Sequence, residues 1–185
     1  MTSTFYPAYA APINLPASVT TGTTVQSFID VLGDMWVAKN GVNGGNWFRA
    51  RDVVTARYNL AAAWTVPTTV TKAPLTGANF DAYGLNDGAG GFVVPVPGLY
   101  KADTQLVVAG VSGYVFQVYL YADATQYAGG NSYGTVTGGL FGHAHDLFKL
   151  NAGQVISSRG ACSTAAAASV GQWTCYLSVA YQGTG

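Results

Sequence analysis

The densest run of chemically capable side chains is Gly-His-Ala-His-Asp-Leu-Phe, residues 142–148. On an extended chain alternate residues point to opposite faces, so His143 and His145 share one face and Asp146 takes the other. Two imidazoles at that spacing offer zinc two ligands, or a ring of six if the strand repeats around a threefold axis. The plainer reading is two polar residues facing solvent or a subunit seam, with Asp146 free to form a seam salt bridge. His143 and His145 stay as metal candidates, and no metal or cofactor is expected. Other chemistry has less to build on. Gly-Val-Ser-Gly-Tyr at 110–114 lacks the second glycine of a nucleophile elbow. No Gly-x-Gly-x-x-Gly opens a helix, and no phosphate loop is present. The Asp and Glu residues number 8 and are scattered, whereas acid–base catalysis gathers perturbed acids in a cleft. No catalytic residue is assigned, and the chain does not read as an enzyme. Arg49, Arg51 and Arg57 form a basic spot partly offset by Asp52, which reads as a docking contact rather than a phosphate site.

These side chains sit in an unusual background. Charged residues are 9% of the 185, hydrophobic residues 49%, and the formal net charge is zero; about 25% charged is usual. No long-range attraction for nucleic acid or anionic lipid follows, so no nucleic-acid partner is expected. Such a composition also disfavours disorder. It suggests a neutral, hydroxyl-rich surface partly hidden in an assembly. The length suits one domain plus an appendage. The first basic residue is Lys39, and Pro7, Pro12 and Pro16 break the early apolar residues, so no secretion signal is read. No apolar run reaches the roughly 18 residues of a membrane span. The expectation is a soluble chain made in a cytoplasm, with no membrane insertion. Cys162 and Cys175 flank a loop that would set them on antiparallel strands; free thiols are expected there.

The chain divides into an arm, a short amphipathic segment and a strand-rich head. Residues 1–22 are Pro-punctuated and uncharged, yet Phe5, Tyr6, Tyr9, Ile13 and Leu15 are sticky for a linker. They read as an extended arm that docks on a partner. From Thr23 to Gly41 the spacing predicts a helix, capped by Thr23 or Thr24 and closed by Gly41. Val25, Phe28, Ile29, Leu32, Met35 and Trp36 form its apolar stripe, read as an oligomerisation face on a symmetry axis. Gly33 weakens that helix by about 1 kcal/mol relative to alanine. After the Gly/Asn linker at 40–47 the period changes to that of strands. In Tyr-Val-Phe-Gln-Val-Tyr-Leu-Tyr, 114–121, both alternating faces are apolar or aromatic apart from Gln117. Many short strands closed by Gly, Asn or Pro argue for a β-sandwich. The runs 85–91 and 127–134 read as hairpin loops. The expected organisation is 1–46, arm and anchoring helix, and 47–185, head.

Residues 79–108 contain Phe80, Asp81, Gly91, Phe92, then Pro95-Val96-Pro97-Gly98-Leu99-Tyr100. This pattern resembles the signature region of C1q/TNF-like jelly rolls. Farther on, Leu147 or Phe148, Leu150, Gly153, Gln154 and Val155 look like the family's Leu-x-Leu-x-x-Gly-Asp-x-Val segment, with Gln154 in place of Asp. The last strand reads Tyr176-Leu177-Ser178 where the family usually has Phe-Ser-Gly. The resemblance covers about residues 54–182. It implies a mainly β fold: a C1q/TNF-like jelly-roll β-sandwich, here with a short N-terminal helix and an extended N-terminal arm. It implies that Pro95 and Pro97 end one strand, that Gly98 turns a corner, and that Tyr100 restarts as a core aromatic. It also implies a compact homotrimer with the helical stripe on the threefold axis.

An uncharged arm, a short trimerising element and a Gly/Ala/Thr-rich jelly roll resemble virion proteins of tailed phages. The expected function is a structural surface protein: a minor tail, fibre or capsid-decoration protein, assembled in the host cytoplasm. Its expected partners are two further copies of itself and other virion proteins reached through the arm. The alternative is a receptor- or glycan-binding adhesion module, whose partner is a host-surface glycan.

Overall fold

Alternation of buried and exposed residues along the strands sets the architecture. The structure is a computed structural model and describes residues 26–29, 33–38, 47–110, 113–133 and 138–184. In chain order the elements are β1 (Gln26–Ile29), β2 (Met35–Ala38), β3 (Phe48–Arg49), the single helical turn α1 (Ala50–Val53), β4 (Thr55–Leu60), β5 (Thr65–Val66), β6 (Thr71–Lys72), β7 (Gly77–Asp81), β8 (Gly91–Val93), β9 (Gly98–Gly110), β10 (Val115–Ala122), β11 (Thr125–Tyr133), β12 (Gly138–Leu150), β13 (Val155–Cys162), β14 (Ala166–Ala167) and β15 (Gly171–Gly183).

Two five-stranded antiparallel sheets face each other. One runs β12-β9-β15-β4-β7; the other runs β11-β10-β13-β6, with β8 also paired to β13. Their inner faces meet in one core that includes Tyr58, Phe92, Tyr100, Phe116, Leu120, Phe148, Ile156 and Leu177. In β10 the inward set Phe116, Val118, Leu120 and Ala122 is buried and its alternates are partly exposed. A buried polar pin crosses the core. The Thr104 hydroxyl donates to the Tyr176 carbonyl at 2.6 Å and lies 2.8 Å from Ser158 Oγ on the opposite sheet. The chain is a jelly-roll β-sandwich, as expected.

The prolines sit where the chain changes sheets. β8 belongs to the β13 sheet and β9 to the other, and residues 94–97 carry the crossing. Neither Pro95 nor Pro97 lies in a strand, so no ladder donor is lost. Gly98 has φ +152°, and a Cβ there would meet the Gly183 carbonyl oxygen at 2.4 Å. Tyr100 then enters the core, and its hydroxyl donates to the Val96 carbonyl at 2.6 Å.

Three expectations are corrected. First, residues 23–41 hold no helix among the described residues. β1 and β2 form an antiparallel hairpin with Gln26 opposite Ala38 and Ile29 opposite Met35, and β2 pairs onward with β3. Met35 and Val37 alternate into the core, and Gly33 takes φ +83°, a left-handed value that interrupts a helix. Burial of a two-residue repeat outweighs the modest propensity of a short helix. The stripe is thereby split. Met35 is 6% exposed, Ile29 57%, and Trp36 lies under the Arg49 guanidinium at 5.7 Å. Phe28 pairs with Trp36; Val25 and Leu32, like the arm at 1–22, lie outside the described residues.

The other two corrections concern turns. Residues 127–133 are not a loop but most of β11, and the reversal falls at Asp123, which takes φ 51°. Glycines stand in that strand because of crowding. A Cβ on Gly129 would meet the Tyr119 ring at 2.6 Å, and one on Gly130 the His143 carbonyl oxygen at 2.3 Å. Residues 85–91, for their part, connect strands of different sheets rather than a hairpin. Asp87 holds that turn: its carboxylate accepts N–H bonds from Ala89 and Gly91, both within 2.9 Å, and pairs with Lys72.

Candidate functional site

The outer face of the β12-β9-β15-β4-β7 sheet gathers the chemistry. β9 and β12 are 13 residues each and pair along their whole length without a register shift. That register sets His145 opposite Asp103 and His143 opposite Gln105. Directly opposed residues have Cβ atoms about 5 Å apart and residues two along one strand about 7 Å. Asp103, His143 and His145 therefore form a triangle fixed by the ladder itself. His143 Nε2 lies 2.8 Å from Asp103 Oδ2, and the two imidazole centroids are 5.5 Å apart. As expected, His143 and His145 share the exposed face while Asp146 turns away, where its Oδ1 accepts the Leu147 N–H at 2.7 Å.

A lane of polar and aromatic groups continues across the sheet. Tyr176 on β15 hydrogen-bonds the Asp103 carboxylate; burial, and then that bond and the carboxylate's charge, push its phenol up to about 12. The Arg57 guanidinium of β4 stacks over the Tyr176 ring at 3.9 Å, a cation–π contact. Arg57, Tyr176, Asp103, His143 and His145 thus line up across four strands. Arg57, Lys101, Asp103, Ser178 and Ala180 rim a shallow depression beside the lane. On the two edge strands of the same sheet stand Phe80 of β7 and Phe141 and Leu147 of β12, each about half exposed or more at 49%, 60% and 52%.

Arg49 and Arg51 are not part of this site. They flank Asp34 at 3.4 and 3.8 Å, so the sequence-level basic spot divides between the N-terminal hairpin and the sheet face. Cys162 and Cys175 are free and buried on strands of different sheets. Cys175 Sγ accepts the Val107 N–H at 3.3 Å, and burial pushes its thiol up.

Sequence reasoning found the two histidines and missed Asp103 and Tyr176. Alternation in Lys101–Val107 already places Lys101, Asp103 and Gln105 on one face. Which residues of another strand meet them depends on a register between segments 40 residues apart, and local pattern does not carry that.

No family model matches the sequence, and no curated protein matches it. Solved structures do match its fold. The structure of Eiger TNF from S. frugiperda superposes with a TM-score of 0.56 at 9% identity, over 71% of this chain and 93% of that one. The globular domain of zebrafish complement 1qA superposes at 0.55 with 11% identity, over 71% and 98%. Murine APRIL at pH 5.0 gives 0.50 at 15%, over 69% and 99%. At such identities the likeness concerns architecture, and it agrees with the Pro-Val-Pro-Gly-Leu-Tyr signature: the fold of this chain is a C1q/TNF-like jelly roll.

Proposed function

We propose that the chain is a homotrimeric structural protein of a tailed-phage virion, a minor tail, fibre or capsid-decoration protein. Its N-terminal segment anchors it to other virion proteins, and the jelly roll is displayed. It is assembled in the host cytoplasm, and its role is binding rather than catalysis. The observation that carries self-association is the outer face of the β12-β9-β15-β4-β7 sheet. In a chain with 9% charged residues, that face leaves Phe80, Phe141 and Leu147 open on strands the core already holds rigid. Large apolar side chains left exposed on both edge strands of one sheet favour a partner surface, and a second copy of the same fold supplies one. The phage assignment rests on the sequence resemblance and on the neutral, Pro-punctuated arm at 1–22.

Light scattering of the purified chain tests the trimer, and a stable monomer at micromolar concentration refutes it. Mass spectrometry of purified particles from the source phage, with antibody labelling in the electron microscope, tests the virion assignment. A chain absent from mature particles rejects that assignment whatever its oligomeric state.

A further inference from the structure

We propose that Asp103, His143 and His145 form a binding site for a divalent transition-metal ion of the zinc class. The sequence offered two ligands and no metal was expected. The ladder between β9 and β12 supplies a third. One nitrogen or oxygen from each of the three residues lies within 4.8 Å of the others. Ligands at zinc distances of about 2.0–2.2 Å in a tetrahedron stand roughly 3.3–3.6 Å from one another. His143 Nε2 and Asp103 Oδ2 are already closer than that, at 2.8 Å. What the site requires is side-chain rotation that parts this pair slightly and draws in the His145 donor, which lies within 4.8 Å of both.

The donor set selects the ion. Two imidazoles and one carboxylate suit zinc, nickel or cobalt, whereas calcium and magnesium take oxygen ligands in greater number. The surroundings orient the ligands. The Tyr176 hydroxyl holds the Asp103 carboxylate from the side away from β12, and Arg57 stacks on the Tyr176 ring. Hydrogen bonds to ligating carboxylates tune metal sites in this way. In the single chain the His143 and Asp103 side chains are 48% and 32% exposed, so the ion has access from solvent before a second copy covers the face. A remaining coordination position faces outward, toward water or a donor from a facing molecule. All three ligands come from one chain, so the site does not depend on the proposed trimer.

The test uses the full chain without a histidine tag, stripped by chelator and titrated with zinc chloride in a calorimeter. One zinc per chain is expected, together with a rise in melting temperature, because a ligand that binds the folded state stabilises it. His143→Ala, His145→Ala and Asp103→Asn should each weaken binding by roughly tenfold or more and remove the melting shift. These positions lie on the outer face, and circular dichroism of the metal-free variants checks that they fold. Cobalt(II) should give visible bands without thiolate charge transfer, which separates this site from Cys162 and Cys175. Failure of the wild-type chain to take up zinc overturns the proposal. So does stoichiometric uptake that persists in the His143→Ala/His145→Ala double variant.

Discussion

Asp81 shows how one side chain joins local turn to distant strand. Its Oδ2 accepts the Leu85 N–H at 2.7 Å, the Asn86 N–H at 3.1 Å and the Tyr58 hydroxyl at 2.9 Å. It therefore closes the turn after β7 and ties it to β4. Asp81→Ala should lower stability by about 2–4 kcal/mol, since three donors lose a charged acceptor; urea unfolding measures it, and an unchanged midpoint would refute it. Tyrosines give the molecule an alkaline limit. Burial raises the phenols of Tyr58, Tyr100, Tyr176 and Tyr181 above the usual 10.0. A raised folded-state pKa contributes stability that is present below the unfolded value and lost as pH rises through the folded one. The urea midpoint should hold up to about pH 10 and then fall as the unfolded phenols ionise. A midpoint that stays flat as pH rises to about 12 would contradict this assignment.

At the scale of elements, the close approach of β12 to the neighbouring strands depends on glycine. A Cβ on Gly142 would meet Val118 Cγ2 at 2.1 Å, and Ser132 of β11 hydrogen-bonds the Phe141 carbonyl from the other sheet. Gly142→Ala must push β12 away from β10. A cost of about 1–3 kcal/mol is expected from overpacking, with loss of hydrogen-exchange protection centred on β12. The N-terminal hairpin poses the complementary case. Met35→Ala should destabilise the fold by about 2–4 kcal/mol, because Met35 fills a core position. Were residues 23–41 instead a free-standing helix, the same change would leave the melting temperature of the head unaltered, so thermal unfolding distinguishes the two.

At the scale of the whole molecule, the proposed assembly is what a single substitution can test. Phe141 is 60% exposed on the outer sheet face, so Phe141→Asp should leave the single-chain fold intact. In a buried subunit seam it would place a carboxylate in each copy, and unpaired buried charges cost several kcal/mol. The proposed trimer should dissociate, read as a fall in mass by light scattering at unchanged circular dichroism. A trimer of unchanged mass would move the seam to another face. Removal of residues 1–22 should leave a folded head, because both facing sheets are built from strands between Thr55 and Gly183. In the proposed virion role that head should no longer join the particle; retained incorporation would deny the arm its anchoring role.

Period-two alternation in 114–121 and the Pro-Val-Pro-Gly-Leu-Tyr run made the sandwich legible from sequence. Both signals are local: side chains alternate on any strand, and proline cannot sit inside a ladder. The apolar residues of segment 23–41 fit a period near 3.6 and also a short hairpin. Only the burial of Met35 and Val37 against distant strands decided between them. The glycines at 129 and 130 looked like a loop for a related reason, since the groups that crowd them, Tyr119 and His143, come from other strands. The candidate site divides in the same way. Alternation alone put His143 and His145 on one face. Asp103, Tyr176 and Arg57 joined them through the registers of β9, β12, β15 and β4, which arise when whole strands choose partners to bury a shared core.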